Sequence, residues 1–284
     1  MIEEVNLHDV SVANLTVAGG APVALIEAAA AAGLGKVGLL LRTATPKPLA
    51  HEVIGRPDVV REIKAACRAN DIRVFDVEAF ILSPAADIDT YRAALATGAE
   101  LGATHISAVG TELLTNDAFL SAPERIELFG RLCDAAAEYG LHVGVEFMLY
   151  RDVRTLGETL ELLNAAGRAN AGVILDVLHF HRSGARPEEL DAVPAERIAY
   201  VQLCDAIERS PSLDGLANEA RTARLHLGDG VIPLDAILDR LPADAQLVIE
   251  TPVAADADLS DARKVAHCTD AARRFFARRA SQRG

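Results

Sequence analysis

GVILDVLHFHRSG, residues 172–184, is the stretch whose reading decides the fold of this chain. Gly172 and the apolar run Val173, Ile174 and Leu175 form the pattern of a parallel strand covered on both faces. The run ends on an acid, Asp176. His179, His181 and Arg182 follow, and Gly184 closes the turn. A buried strand that delivers a carboxylate and an imidazole at its carboxyl end can hold a metal ion or a polar substrate. A plainer reading makes Asp176 the cap of the next helix and leaves His179 on a loop surface. The balance tips because three other strands end in the same way.

Working outward, apolar or β-branched runs predict strands at 10–16, 37–41, 73–80, 104–109 and 141–147 before this stretch, and at 198–203 and 246–250 after it. Helices are predicted between them at 21–32, 57–70, 87–101, 122–139, 155–166, 187–190, 233–241 and 261–279. Proline near several starts and Gly33, Gly140 and Gly167 at three ends mark their limits. A loop with Pro46 and Pro48 follows the second strand, and a polar loop is predicted at 208–230. The basic run RRFFARR, residues 273–279, suits the negative end of the last helix dipole. Eight strands alternating with helices predict an α/β chain, a (β/α)8 TIM barrel as a single domain over 1–284. An open doubly wound sheet would call for a Gly-rich phosphate turn after the first strand. GxGxxG is missing there, and Gly33-Leu34-Gly35 follows a helix.

Composition excludes several classes. The formal net charge of −13 argues against a nucleic-acid surface. Cys67, Cys133, Cys204 and Cys268 show no CxxC spacing, which fits reduced thiols. The first ten residues lack the basic and apolar regions of a signal peptide, and no apolar run approaches a membrane span. The expectation is a cytoplasmic protein with neither nucleic-acid nor membrane partners. A homodimer or homotetramer is an open option for its assembly.

In a barrel the strand ends converge on one mouth. Glu146, Asp176, Gln202 and Glu250 then come from strands five to eight and face one point. Three carboxylates and an amide oxygen form a hard, all-oxygen set, better suited to one Mn²⁺ or Mg²⁺ ion than to Zn²⁺. Crowded acids without a cation would repel and take up protons.

The chain resembles the xylose isomerase-like TIM barrels, the sugar phosphate isomerase/epimerase superfamily. The resemblance runs over nearly the whole chain. It rests on GVEFM around Glu146, LDVLHFHRSG around Asp176 and His179, and YVQLCDA around Gln202. It continues through EARTARLHLGDGVIPL around Arg221 and Arg224 and VIETP at Glu250. In ketose 3-epimerases of this superfamily, Glu, Asp, His and Glu at these strand ends bind one metal ion, and the two Glu exchange the proton. The resemblance thus implies Glu146 and Glu250 as the catalytic pair, with His179 and Arg224 holding substrate oxygens. Gln202 departs from the pattern, standing where those epimerases have a His ligand. The apurinic endonucleases of the superfamily carry an Asp-Arg-His metal triplet. It would fall at Thr222, Ala223 and Arg224, so two of its ligands are absent.

The predicted activity is metal-dependent isomerisation or epimerisation of a sugar or polyol ketone, through proton abstraction α to the carbonyl. Arg221 is a further candidate for binding a substrate carboxylate or phosphate. Dehydration of a keto-inositol or keto-acid starts with the same step and is the alternative. A non-enzymatic binding protein on the same barrel is the third reading. Arg42, Glu78 and Asp205 are weaker site candidates, and His8, His51, His105 and His142 are read as structural.

Overall fold

The computed structural model describes residue 2, residues 5–43 and residues 48–282. Its frame is a closed barrel of eight strands in sequence order. These are β1 (Ser11–Val12), β2 (Lys36–Leu40), β3 (Arg73–Leu82), β4 (His105–Gly110), β5 (His142–Glu146), β6 (Ala171–Asp176), β7 (Ile198–Leu203) and β8 (Leu247–Ile249). Every neighbouring pair is parallel, and closure comes from Ser11 and Val12 pairing with Val248 and Ile249.

Helices return the chain between strands: α1 (Pro22–Ala32), α2 (Pro57–Asn70), α3 (Ile88–Leu101), α4 (Ala122–Ala137) and α5 (Leu156–Ala166). After β6 come α6 (Val177–Arg182), α7 (Leu213–Thr222), α8 (Leu234–Leu238) and α9 (Asp261–Ser281). Local signals set their ends. Ser121 and Glu124 form a reciprocal capping box at the start of α4. Gly33 takes the left-handed conformation, φ 85°, that ends α1.

Strand alternation sorts the side chains into two compartments. Val173, Leu175, Val201 and Leu203 point outward into the main core, among residues of the surrounding helices. Ile174, Tyr200 and Val248 pack with Ala13 and Phe75 in a separate small cluster, the filling of the barrel. Gly144 makes room for this filling, because a Cβ there would lie 2.4 Å from Ile174 Cγ1. The inward row fixes the site: Glu146 follows Gly144 by two residues, Asp176 follows Ile174, Gln202 follows Tyr200, and Glu250 follows Val248.

Three expectations need correction. The first strand is two residues long instead of spanning 10–16; Asn14–Val17 is a 3-10 turn. There the chain leaves the ladder, and the Thr16 hydroxyl both donates to Ile249 O and accepts from Thr251 N. The turn after Asp176 is the helix α6. The polar loop predicted at 208–230 contains α7, with Leu216 and Ala220 buried on its inner face. Pro46 lies outside the described residues, while Pro48 is in a loop as expected. No helix among the described residues is long and apolar enough to cross a membrane.

Candidate active site

Asp176 has two duties. One carboxylate oxygen caps α6, accepting from Leu178 N at 2.7 Å and His179 N at 3.3 Å. The other accepts from Arg224 Nη1 at 2.7 Å. The capping alternative posed by the sequence therefore holds for Asp176, and its second oxygen faces Arg224. His179 is the exception to the plainer reading, since the cap turns its ring inward and leaves it 4% exposed.

The register carries the other groups to the same point. Asp176 is the direct ladder partner of Gln202. Glu250 N extends the ladder by donating to Leu203 O. Gln202 Nε2 donates to Glu250 Oε1 at 2.9 Å. His179 Nε2 lies 3.5 Å from Glu146 Oε1 and 4.0 Å from Asp176 Oδ2. Arg224, 1% exposed, spans Asp176 and Glu250, with Nη2 at 2.8 Å from Glu250 Oε2. Its Nε donates to Ala220 O, and Nη1 also reaches Cys204 Sγ. The structure thus brings Glu146, Asp176, His179, Gln202, Arg224 and Glu250 together. It turns the polar atoms of Arg224 toward protein groups.

Arg221 stands further out. Its side chain is 41% exposed and bonds Glu112 Oε2 at 2.7 Å. Arg221 and the buried Arg151 flank the ring of Tyr150, which meets the His179 ring edge to face. Of the weaker candidates, Arg42 lies over the Tyr91 ring, 4.2 Å from its centroid. Glu78 lies close to Asp76, and its Oε1 is buried without a hydrogen-bond partner. The Asp205 carboxylate accepts from the backbone N–H groups of Ala206, Gly228, Gly230 and Ile232, so it is a loop clamp. Backbone bonds in both directions between Asp205 and Leu225 close the same loop.

Electrostatics follows from burial. Burial, Glu250 and Asp176 push the Glu146 carboxyl well above its ordinary range. Burial raises Glu250 to about 8, although Arg224 pulls the other way. Burial also works to raise Asp176, but Arg224, His179 and the cap bonds outweigh it and hold it low. Burial lowers His179 to about 4, so its imidazole is neutral near pH 7.

This donor set fits a divalent cation. Glu146, Asp176 and His179 offer ligand atoms within 4.8 Å of one another. His179 Nε2 and Gln202 Oε1 are both buried and have no hydrogen-bond partner. The amide orientation is dictated by Glu250, since Gln202 must turn its NH₂ toward that carboxylate. A cation would supply the missing partner and relieve the crowding of acids.

Sequence reasoning passed over Tyr150, Arg151, Glu112 and Asp76. Asp76 carried a signal, an acid inside an otherwise apolar strand. It is 1% exposed, and burial raises it to about 7. Glu112 and Arg151 meet through the fold and had no local pattern.

The sequence profile of the xylose isomerase-like TIM barrel family matches residues 26–268. The chain belongs to that family. Among its relatives, the inosose isomerase of Bacillus velezensis is 30% identical over 159 residues, covering 54% of each chain. This chain therefore spans about half the length of that curated relative. The 3-dehydroshikimate dehydratase of Pseudomonas aeruginosa is 35% identical over 77 residues, 27% of this chain and 12% of that one. The solved structure of the IolI protein with a bound zinc atom superposes with a TM-score of 0.79 at 17% identity. It covers 95% of this chain and 98% of that one, a likeness of fold.

Proposed function

We propose that this member of the family is a divalent-metal-dependent isomerase or epimerase of a sugar or polyol ketone, working by proton abstraction α to the carbonyl. The carrying observation is Glu146 and Glu250, two buried acids of raised proton affinity, beside the unpartnered donors Gln202 Oε1 and His179 Nε2. The inosose isomerase relative supports a cyclic polyol ketone as the substrate class.

Glu146, Asp176, Gln202 and Glu250 would hold the ion. When bound, the ion would acidify the α C–H by stabilising negative charge on the carbonyl oxygen. One of the two glutamates takes the α proton, and the other returns a proton from the opposite side. The charge of Glu250 raises the proton affinity of Glu146, so the two roles are assigned to the pair. His179, neutral, presents a hydrogen-bonding nitrogen to a substrate oxygen. Asp176 and Arg224 hold the pair in register. Arg221 at the mouth would meet an anionic group on the substrate.

Solvent exchange tests this. In D₂O with Mn²⁺ and a polyol ketone, deuterium should enter the carbon α to the carbonyl. Glu146→Gln and Glu250→Gln should each lower turnover by roughly 10²–10⁴-fold. Turnover without α C–H cleavage would overturn the mechanism. The dehydratase relative favours a second reading, loss of water from a keto-acid after the same proton abstraction. An isotope effect with α-deuterated substrate and release of an unsaturated product would select it.

A further inference from the structure

Outside the barrel mouth, three side chains from distant points of the sequence meet where the loops after β7 and β8 approach α9. His226 Nε2 lies 3.0 Å from Asp256 Oδ2, and His267 Nδ1 lies 3.2 Å from Asp256 Oδ1. The imidazole centroids are 6.4 Å apart and their planes stand at 79°. One ligand atom from each residue fits within 4.8 Å of the others. We propose that His226, Asp256 and His267 form a metal site for a borderline transition ion of the Zn²⁺ or Ni²⁺ kind, sharing no ligand with the catalytic cluster.

The donor chemistry selects that class. Two imidazoles and a carboxylate suit Zn²⁺, Ni²⁺ or Co²⁺, whereas Mg²⁺ and Ca²⁺ favour oxygen throughout. Ligands of tetrahedral zinc, each roughly 2.0–2.1 Å from the ion, sit about 3.3 Å apart. The two N···O separations, 3.0 and 3.2 Å, run to the two oxygens of Asp256, and one ligand atom from each residue fits within 4.8 Å of the others. The partly exposed His267 ring has to draw inward to close that set around an ion. The His226 ring is held on one side alone, because its Nδ1 is buried and has no partner.

Access is also present. His267 is 42% exposed, while His226 and Asp256 are 15% and 12% exposed at the side chain. A cleft of about 230 Å³, lined by Asp256 with Arg221, Thr251 and Lys264, opens on the carboxylate side. Three protein ligands leave the fourth position to water. The bound ion would tie the loop after β7, the loop after β8 and α9 together. Arg224 lies two residues before His226 and Glu250 six before Asp256, so the tie would brace the backbone that carries them. Without an ion, the same three groups make a hydrogen-bonded tether, and stoichiometry separates the two cases.

The experiment uses untagged full-length protein, stripped with chelator and titrated with Zn²⁺ by calorimetry, with elemental analysis after dialysis. His267→Ala keeps a good helix former on an exposed face of α9, and circular dichroism confirms its fold. It should bind one Zn²⁺ fewer than the wild type and lose part of the Zn²⁺-induced rise in Tm. His226→Ala should lose the same equivalent. Asp176→Asn reports on the catalytic cluster separately: it should retain the equivalent that His267→Ala removes. Equal stoichiometry and equal Tm response in wild type and His267→Ala would overturn the proposal. So would loss of all Zn²⁺ in Asp176→Asn.

Discussion

Arg224 has each of its side-chain nitrogens engaged, on Ala220 O, Asp176, Cys204 and Glu250. A guanidinium buried this deeply persists only because two carboxylates compensate it. Removing it leaves those acids facing each other in a dry site. Arg224→Leu should therefore cost about 3–5 kcal/mol in urea melts of chelated protein, with part of the loss restored by Mn²⁺. Gln202 gives the second test at this scale. Gln202→His replaces an amide oxygen by an imidazole nitrogen, so affinity for Zn²⁺ should rise relative to Mn²⁺ in competition titrations. The residues that meet at the mouth were legible because each ends or follows an apolar strand. The Arg224 bridge was not, because whether a buried cation faces substrate or its own protein depends on approaches between segments distant in sequence.

Between β6 and α6 the chain turns on Asp176, and the element depends on that one side chain. Asp176→Asn keeps an oxygen able to cap α6 and should stay folded. Asp176→Ala removes the cap, worth about 0.5–2 kcal/mol, and also strips Arg224 of its nearest partner. Its melting temperature should lie clearly below that of the Asn variant by differential scanning calorimetry. With six residues, three of them His or Arg, α6 is too short to show a helical period, so the sequence read as a turn. The amphipathic face of α7 was present in Leu213, Leu216, Ala217 and Ala220. Ser, Pro, Asp and Asn around it read as loop residues, and packing against the barrel decided the matter.

Across the whole molecule, the alternation of strands and helices revealed the barrel and its two closing segments, but not how short the closing strand is. Closure rests on a two-residue strand paired with one more than 230 positions away, and that shortness no local pattern can announce. The buried titrating groups act on the molecule as a unit through linkage. Glu250, near 8 in the fold against 4.5 ordinarily, and Asp76, near 7 against 3.8, bind protons more tightly when folded. Their stabilising effect is full at low pH and fades as pH rises through the folded values. His179, near 4 against 6.5, has the opposite sign, with its effect present above 6.5 and lost as pH falls toward 4. From pH 6.5 to 8 the acids outweigh the last of the histidine's change, so chelated protein should have a lower urea midpoint at 8 than at 6.5. Mn²⁺ should reverse that slope, because ionised carboxylates are its ligands. The Asp205 clamp bears on how such a molecule diversifies. Asp205 and Leu225 sit side by side, bonded through their backbones, so the chain leaves and re-enters the barrel at one point. The segment 208–212, ahead of α7, hangs from that point. Doubling the length of a flexible loop adds only about 0.6 kcal/mol of closure entropy. Sequence there can be replaced or lengthened by recombination while Gln202, Arg224 and Glu250 keep their places. New substrate preferences would then be open to a lineage without disturbing the proposed proton-transfer pair.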